Sequence, residues 1–156
     1  MRRFLIATAC VGAAALSTSA AATPATAACR PTVSAGGGPF ATDASPPPRR
    51  SRIGRGHVLA GRILRYPDCA PIRGALVELW QASKGGGYDR RGHGSVITDR
   101  TGRFRFEGPV PPREVGRPPH IHVHVSAAGF QDFVTTYFVA RGERQRSVTI
   151  VLVSDL

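Results

Sequence analysis

Arg117-Pro-Pro-His-Ile-His-Val-His-Val125 is the stretch that decides how the rest of this chain is interpreted. Side chains of an extended strand alternate between two faces, so His120, His122 and His124 point the same way. The aliphatic residues between them point the other way, which predicts a strand with one face in a core. Two histidines two residues apart on a rigid strand can share one metal ion. The stretch therefore predicts a metal site, and the alternative is three surface histidines on an exposed sheet face.

Short β-like runs separated by turns surround this stretch. The predicted strands cover residues 57–65, 74–81, 95–99, 103–107, 120–126, 133–139 and 147–153. Gly and Pro occupy the gaps between them, and no convincing amphipathic helix is present. About seven strands at such short spacing predict an all-β fold, either a sandwich or a small barrel.

The N-terminal residues indicate the compartment. A short basic start precedes an apolar run from Phe4 to Leu16, and a small-residue stretch follows with an A-x-A site ending at Ala27. The run is too short for a membrane span, so residues 1–28 are predicted to be a secretory signal peptide. We expect a secreted protein that has no membrane attachment after cleavage. A lipid anchor on Cys29 is the alternative, but the residues before it lack the aliphatic side chain of such a site.

Cleavage of the leader removes Cys10 and leaves two cysteines, Cys29 and Cys69. An even pair in an exported protein predicts a disulfide, which would tie the N-terminal arm to the start of the folded domain. Two free thiols that bind a metal are the alternative, and the absence of a CxxC spacing argues against it.

Composition indicates three segments and one folded domain. After the leader, residues 29–56 are rich in Gly, Pro, Ser and Arg and have neither helical nor strand periodicity, which predicts an irregular arm. Residues 57–156 carry the strands. A mature chain of about 128 residues is long enough for one modest core. The oligomeric state stays open.

The charge is strongly basic. The chain has 21 Lys and Arg against 10 Asp and Glu, and loss of Arg2 and Arg3 with the leader takes the formal charge from +11 to +9. The arginines are scattered and no interleaved aromatic residues form a stacking platform, so no nucleic-acid partner is predicted. Such a field favours anionic small substrates or acidic surfaces.

Two separated stretches resemble a known sandwich architecture. Residues 61–79 and the run Thr98-Asp-Arg-Thr-Gly-Arg-Phe-Arg-Phe106 are similar to the prealbumin-like β-sandwich. That architecture serves carriers and structural modules as well as enzymes, so it implies no function by itself.

A more specific resemblance lies in two motifs. Leu79-Trp-Gln-Ala-Ser-Lys-Gly-Gly-Gly-Tyr88 places a tyrosine eight residues after the tryptophan of Trp-Gln-Ala, which resembles the intradiol ring-cleavage dioxygenases, the catechol and protocatechuate 3,4-dioxygenase family. The run Gly-Arg-x-Pro-His-Ile-His at residues 116–122 is similar to the family's second motif. Residues 29–40 and 69–72 resemble its short, secreted members, so the likeness covers essentially the whole mature chain.

This resemblance implies a metal site and a reaction. The family holds a ferric ion, Fe(III), with two tyrosinates and two histidines, and matching positions make Tyr88, His120 and His122 metal ligands here. Arg117 matches a catalytic arginine that stabilises charge on the bound substrate. Anionic oxygens stabilise iron(III), and imidazoles complete such a site. The implied reaction is oxygen-dependent opening of a catechol between its two hydroxyls, which gives a muconate-type diacid. His124 is expected not to bind the metal, because it lies beyond the pair on the strand.

The chain departs from the family at the second tyrosine. Glu114 stands there, six residues before His120, and Thr135 replaces a glutamine of the family pattern. Glu114 supplies a fourth metal ligand in one interpretation, Tyr137 replaces the missing tyrosine in a second, and the site is degenerate in a third. A loop carboxylate paired with a neighbouring arginine is the purely structural interpretation of Glu114.

A second class of function competes with an enzyme. If the iron site is degenerate, a prealbumin-like sandwich of this kind would serve as a non-catalytic metal-binding or carbohydrate-surface module. The colour of the purified protein separates the two, because a tyrosinate bound to iron(III) absorbs visible light and a structural module does not.

Overall fold

The computed structural model describes residues 29–35 and 49–155 of the chain. The predicted signal peptide, residues 1–28, lies outside this part. Within the described residues the chain forms seven strands and one 3-10 turn at Arg90–Gly92: β1 His57–Arg65, β2 Leu76–Trp80, β3 His93–Ile97, β4 Arg103–Gly108, β5 His120–Ser126, β6 Phe133–Phe138 and β7 Gln145–Leu152. The predicted all-β fold is confirmed.

The strands form two sheets. One has the order β4-β1-β7, in which β1 is antiparallel to β4 and parallel to β7. The other has the order β3-β2-β5-β6 and is antiparallel throughout. Together they make the predicted sandwich, with β5 in the interior of the four-stranded sheet.

The core lies between the two sheets and is built from alternate residues of each strand. Its buried side chains on β1, β2, β4, β5 and β7 include Leu59, Ile63, Val77, Leu79, Phe104, Phe106, Ile121, Val123, Val125, Ile150 and Leu152. Complete burial of one such side chain contributes roughly 1.5–3 kcal/mol. The aliphatic residues of β5 belong to this core, as predicted, so its histidines lie on the outer face of the four-stranded sheet.

The start of β3 differs from the prediction. The strand begins at His93, two residues before the predicted start, because His93 and Gly94 pair with Trp80 and Leu79 of β2. Gly94 has to be small, since an added Cβ would lie 2.6 Å from the Arg50 carbonyl oxygen. A glycine required by a close approach interrupts the alternation on which the prediction relied.

Described parts of the arm connect the two sheets along one open side. Thr32 exchanges hydrogen bonds with Val151 of β7, at 3.0 Å and 2.9 Å. Ser34 Oγ contacts the backbone oxygen and nitrogen of Val134 in β6, at 2.9 Å and 3.1 Å. The Cys29–Cys69 disulfide closes the start of this segment, with 5.5 Å between the Cα atoms, and confirms the predicted pairing.

A second segment of the arm connects the sheets along the opposite side. Ile53 N donates to Glu107 O at 2.9 Å, and Glu107 N donates to Ser51 O at 2.8 Å, both on β4. Arg50 Nε donates to His93 O of β3 at 2.9 Å. No helix among the described residues has the length and apolar character needed to cross a membrane.

Candidate metal centre

The two histidines of β5 are buried and anchored on their far side. His120 is 1 % exposed and His122 is fully buried. His120 Nδ1 lies 2.8 Å from the Pro118 carbonyl oxygen, which can only accept, so this nitrogen carries the hydrogen. His122 Nδ1 lies 2.9 Å from Thr136 Oγ1. A hydrogen on each Nδ1 leaves both Nε2 lone pairs available for a metal.

Aromatic side chains on the neighbouring strands cover the pair. Trp80 stands opposite His122 on β2 and stacks on it, with ring centroids 5.5 Å apart and planes 22° apart. Phe138 stands opposite His120 on β6 at 5.9 Å. Burial, and then the charges of His120 and Arg117, lower the pKa of His122 to about 4. His122 is therefore neutral at physiological pH, as a metal ligand must be.

Tyr88 brings a phenol to the same point from a loop. Its Oη lies 2.9 Å from His120 Nε2 and 3.2 Å from His122 Nε2, and it donates to Glu114 Oε1 at 2.5 Å. Burial, followed by the hydrogen bond to Glu114, raises the pKa of Tyr88 above its usual value.

Asp89 holds the loop that carries Tyr88. One carboxylate oxygen accepts from the Arg91 backbone N–H at 2.8 Å, and the other accepts from Ser83 Oγ at 3.1 Å. The first bond caps the 3-10 turn that follows. The loop backbone is also closed by Ser83 N, which donates to Gly87 O at 2.8 Å.

Glu114 reaches the cluster from a tight turn. Its backbone exchanges two hydrogen bonds with Arg117, at 3.2 Å and 3.1 Å, and Gly116 between them has φ of +73°, which favours glycine. Its carboxylate oxygen lies 3.7 Å from His120 Nε2 in addition to its contact with Tyr88. The carboxylate thus points into the cluster, and an arginine partner is not needed to explain its position.

Arg117 lies at the exposed rim of the cluster. Its positive charge opposes the rise in the pKa of Tyr88, although burial of the phenol outweighs it. The same charge, after burial and His120, lowers the pKa of His122. The guanidinium therefore acts on the donor groups without being buried among them.

The donor atoms fit a single metal ion. Metal bonds of about 2.0–2.2 Å to nitrogen and oxygen separate neighbouring ligand atoms by about 3 Å. The contacts that Tyr88 makes with Glu114, His120 and His122, and that Glu114 makes with His120, span 2.5 Å to 3.7 Å. Among the described residues, no three His, Cys, Asp or Glu side chains form a metal-holding group by themselves. The Tyr88 oxygen is the atom that both imidazoles and the carboxylate share. One phenol, one carboxyl and two imidazoles together suit iron.

The structure places Tyr137 away from this cluster. It pairs with Ile121 across β5 and β6, so its side chain lies on the core side, where it packs against the hydrophobic cluster. The interpretation in which Tyr137 replaces the missing tyrosine is therefore wrong, because strand alternation points it to the opposite face. Thr135 faces the core for the same reason.

Thr136 is the site residue that sequence reasoning missed. It stands opposite His122 in the β5–β6 register and supplies the hydroxyl that contacts Nδ1. Strand alternation places it on the same face as Phe138, but only the pairing register shows that this face meets His122. No motif in the sequence marks it.

The remaining histidines have other partners. His124 Nδ1 lies 2.6 Å from Glu78 Oε2, and its Nε2 lies 3.1 Å from Asp132 Oδ2, so both ring nitrogens face carboxylates outside the cluster. That His124 does not bind the metal stays a prediction. His93 packs edge-on against Trp80 at 6.0 Å.

Sequence comparisons identify dioxygenases as relatives of this chain. The family described as "Dioxygenase" matches residues 30–151. Hydroxyquinol 1,2-dioxygenase of a Rhizobium species is 34% identical, over 65% of this chain and 45% of that protein. The 6-chlorohydroxyquinol 1,2-dioxygenase of Cupriavidus pinatubonensis is 32% identical, over 49% of this chain and 37% of that protein. The chain thus aligns with less than half the length of these curated relatives.

Solved structures share the fold. The dioxygenase domain of a dioxygenase carbohydrate-binding protein fusion from Streptomyces sp. SirexAA-E has a TM-score of 0.65 and 25% identity, over 81% of this chain and 99% of that one. Hydroxyquinol 1,2-dioxygenase from Pseudomonas putida DLL-E4 has a TM-score of 0.63 at 20% identity, over 83% of this chain and 68% of that one. The second likeness concerns the fold alone.

Proposed function

This chain belongs to the intradiol ring-cleavage dioxygenases, and on that premise we propose that it opens a catechol-type ring between its two hydroxyls with dioxygen. Both oxygen atoms enter the product, a muconate-type diacid. The observation that carries the proposal is the position of Tyr88 Oη, within 3.2 Å of both imidazole Nε2 atoms and hydrogen-bonded to Glu114.

The proposed cofactor is one non-haem iron ion, Fe(III), held by Tyr88, His120, His122 and Glu114. When bound, it supplies a coordination position for the deprotonated catechol and the electronic coupling that lets the ring react with dioxygen. Two oxygen donors that become anionic and two neutral nitrogens suit that ion. Arg117 is exposed beside these four side chains.

The histidines provide rigid, correctly protonated donors. The Pro118 carbonyl fixes a hydrogen on Nδ1 of His120, and the Thr136 hydroxyl can accept a hydrogen from Nδ1 of His122, so Nε2 of each ring is the donor atom towards Tyr88 and the metal. Both rings project from an interior strand, which fixes their backbone positions. Such outer contacts commonly change metal affinity by about 10- to 100-fold.

Glu114 receives the proton that Tyr88 has to release. The phenol already donates to Glu114 Oε1 at 2.5 Å, which makes this carboxylate the nearest base. The Glu114 side chain is 19% exposed, so the proton can continue from it to water. Both oxygens are then anionic donors.

Arg117 and Phe138 face the substrate side. The exposed guanidinium places a positive charge near the donor atoms, where it stabilises anionic oxygens of a catechol. Phe138 is 49% exposed beside His120 and offers an aromatic surface to a substrate ring. Arg117 is the proposed catalytic residue, and Phe138 contributes apolar contact.

We also propose that the protein acts outside the cell on aromatics of plant origin. The Cys29–Cys69 disulfide supports export, because such bonds persist in oxidising compartments. The basic charge favours acidic aromatic substrates. The partners are then a small catechol and dioxygen, without nucleic acid or membrane.

Metal analysis combined with an oxygen electrode tests the proposal. The parent should contain iron, consume one dioxygen per catechol and release a product with the mass of catechol plus two oxygen atoms. His122→Ala should lose all uptake, while His124→Ala, on the same strand face, should keep it. Bound iron without uptake would favour the non-catalytic metal-binding module, and a protein that binds no iron would overturn the iron site.

A further inference from the structure

Glu114 brings a carboxylate to the donor cluster. We propose that this carboxylate, compared with a phenolate in the same place, shifts the site from trivalent towards divalent metal ions. The protein then binds iron(II) and zinc(II) at the cluster as well as iron(III). The inference rests on the proposed function in one respect, since it takes Tyr88, His120, His122 and Glu114 as the ligands.

The geometry makes Glu114 part of the donor set. Its Oε1 lies 2.5 Å from Tyr88 Oη and 3.7 Å from His120 Nε2, so an ion that contacts those two atoms also meets the carboxylate. Two backbone hydrogen bonds between Glu114 and Arg117 hold the turn from which it projects. The backbone therefore holds the turn, and the Glu114 side chain reaches Tyr88 and His120 from it.

The chemistry of the two kinds of oxygen differs in strength. A phenol has a reference pKa of about 10 and a glutamic acid one of about 4.3, so a phenolate is the far stronger electron-pair donor. A small trivalent ion gains more from a strong anionic donor than a divalent ion does. A carboxylate in this position therefore costs a trivalent ion more affinity than it costs a divalent one.

The donor types of the cluster include those of a known divalent site. Two histidines and one carboxylate with open positions are the ligands of non-haem iron(II) oxygenases. Here His120, His122 and Glu114 do not form that three-residue group by themselves, and Tyr88 Oη, which contacts all three side chains, completes the donor set. A second phenolate would instead bias the same pocket towards the trivalent ion.

Redox-inert ions give a direct test. Zn²⁺ replaces iron(II) and Ga³⁺ replaces iron(III). The dissociation constant of each ion is measured by competition with citrate, for the disulfide-bonded parent chain and for Glu114→Tyr. Glu114→Tyr should move the Ga³⁺-over-Zn²⁺ preference towards Ga³⁺ by about tenfold or more, since loss of an outer contact alone changes metal affinity by about 10- to 100-fold. Arg113→Tyr is the matched control, because it adds a phenol to the same loop and keeps Glu114.

The outcomes separate this inference from the proposed function. An unchanged preference in Glu114→Tyr, or an equal shift in Arg113→Tyr, overturns the inference even if the parent cleaves catechol. The expected shift in a parent that does not consume oxygen supports the inference and contradicts the activity. Failure of the parent to bind either ion overturns both.

A second variant keeps the test decisive if Glu114→Tyr does not fold. Glu114→Gln preserves size and removes the charge, and should weaken Zn²⁺ binding by about tenfold or more. Circular dichroism confirms that the sandwich is intact. A Gln variant that binds Zn²⁺ as tightly as the parent shows that the carboxylate is not a ligand of a divalent ion.

Discussion

The candidate centre has two halves that differ in how the fold holds them. The imidazole half, His120 and His122, lies on an interior strand and is almost completely buried. The oxygen half, Tyr88 and Glu114, projects from loops and is only partly buried. The strand half is fixed by the register of β5 with its neighbours, and the loop half by a few local hydrogen bonds.

This difference means that the strands set the location of the centre, whereas the loops set the chemistry of its oxygen donors. Strand register determines where the centre lies, because a shift of either histidine along β5 would disturb the packing of the sheet. The loops determine which oxygen donors arrive, because their residues bear little on the core and can change without loss of the fold. A carboxylate in place of a phenol at residue 114 is such a change.

Removal of a strand ligand should have the largest effect. His122→Ala leaves a cavity beside Trp80 and removes a donor, so we expect iron affinity to fall by about 100-fold or more and stability to fall by about 2 kcal/mol. Iron content and urea unfolding measure the two effects. His124→Ala should retain most of the iron, and equal iron loss in both variants would place the metal elsewhere on the strand face.

Removal of the loop carboxylate should affect the metal without affecting the fold. We expect Glu114→Ala to lower iron affinity by about tenfold and to change the free energy of unfolding by no more than about 0.5 kcal/mol. In contrast, Glu114→Tyr should deepen the visible charge-transfer band by adding a second phenolate. If Glu114→Ala binds iron and turns over catechol like the parent, Glu114 is not a ligand and water completes the site.

The same division explains what could be predicted from the sequence. The alternation of His120 to Val125 predicted the strand, its core face and the shared face of the histidines, because these depend on local geometry alone. The approach of Tyr88 and Glu114 to that face came from resemblance, since no local rule determines where loops end. The alternative at Tyr137, which the structure excludes, and the omission of Thr136 both concern β6, and the face that each β6 side chain occupies depends on the register of β6 with β5.

The contact between Thr136 and His122 tests how much metal binding by the strand half depends on the hydroxyl beside His122 Nδ1. Thr136→Val removes the hydroxyl at similar volume, so Nδ1 loses its partner and the ring loses its preferred tautomer. We expect iron affinity to fall by about tenfold, within the range for such contacts. Thr136→Ser should restore it. A Ser variant as weak as Val would mean that the methyl packing of Thr136 matters and the hydroxyl does not.

Loss of the loop cap at Asp89 should have the smallest effect on iron affinity. It is also the most sensitive test of the difference between the strand half and the loop half of the centre. Asp89→Ala removes the bonds to the Arg91 N–H and Ser83, so the loop that carries Tyr88 gains freedom while the strand half stays intact. We expect iron affinity to fall only about threefold, because one of four donors is loosened and none is removed.

Asp99→Ala is the matched control, since Asp99 accepts from the backbone N–H groups of Thr101 and Arg103, at 2.8 Å and 2.9 Å, in a turn outside the cluster. Both variants lose a carboxylate that organises a turn, and both should cost about 1 kcal/mol of stability. Only Asp89→Ala should weaken iron binding, as measured by competition with a chelator. Equal iron affinities in the two variants would show that the position of Tyr88 is set by its contacts with His120, His122 and Glu114, and that the loop contributes nothing to the centre beyond delivering the phenol.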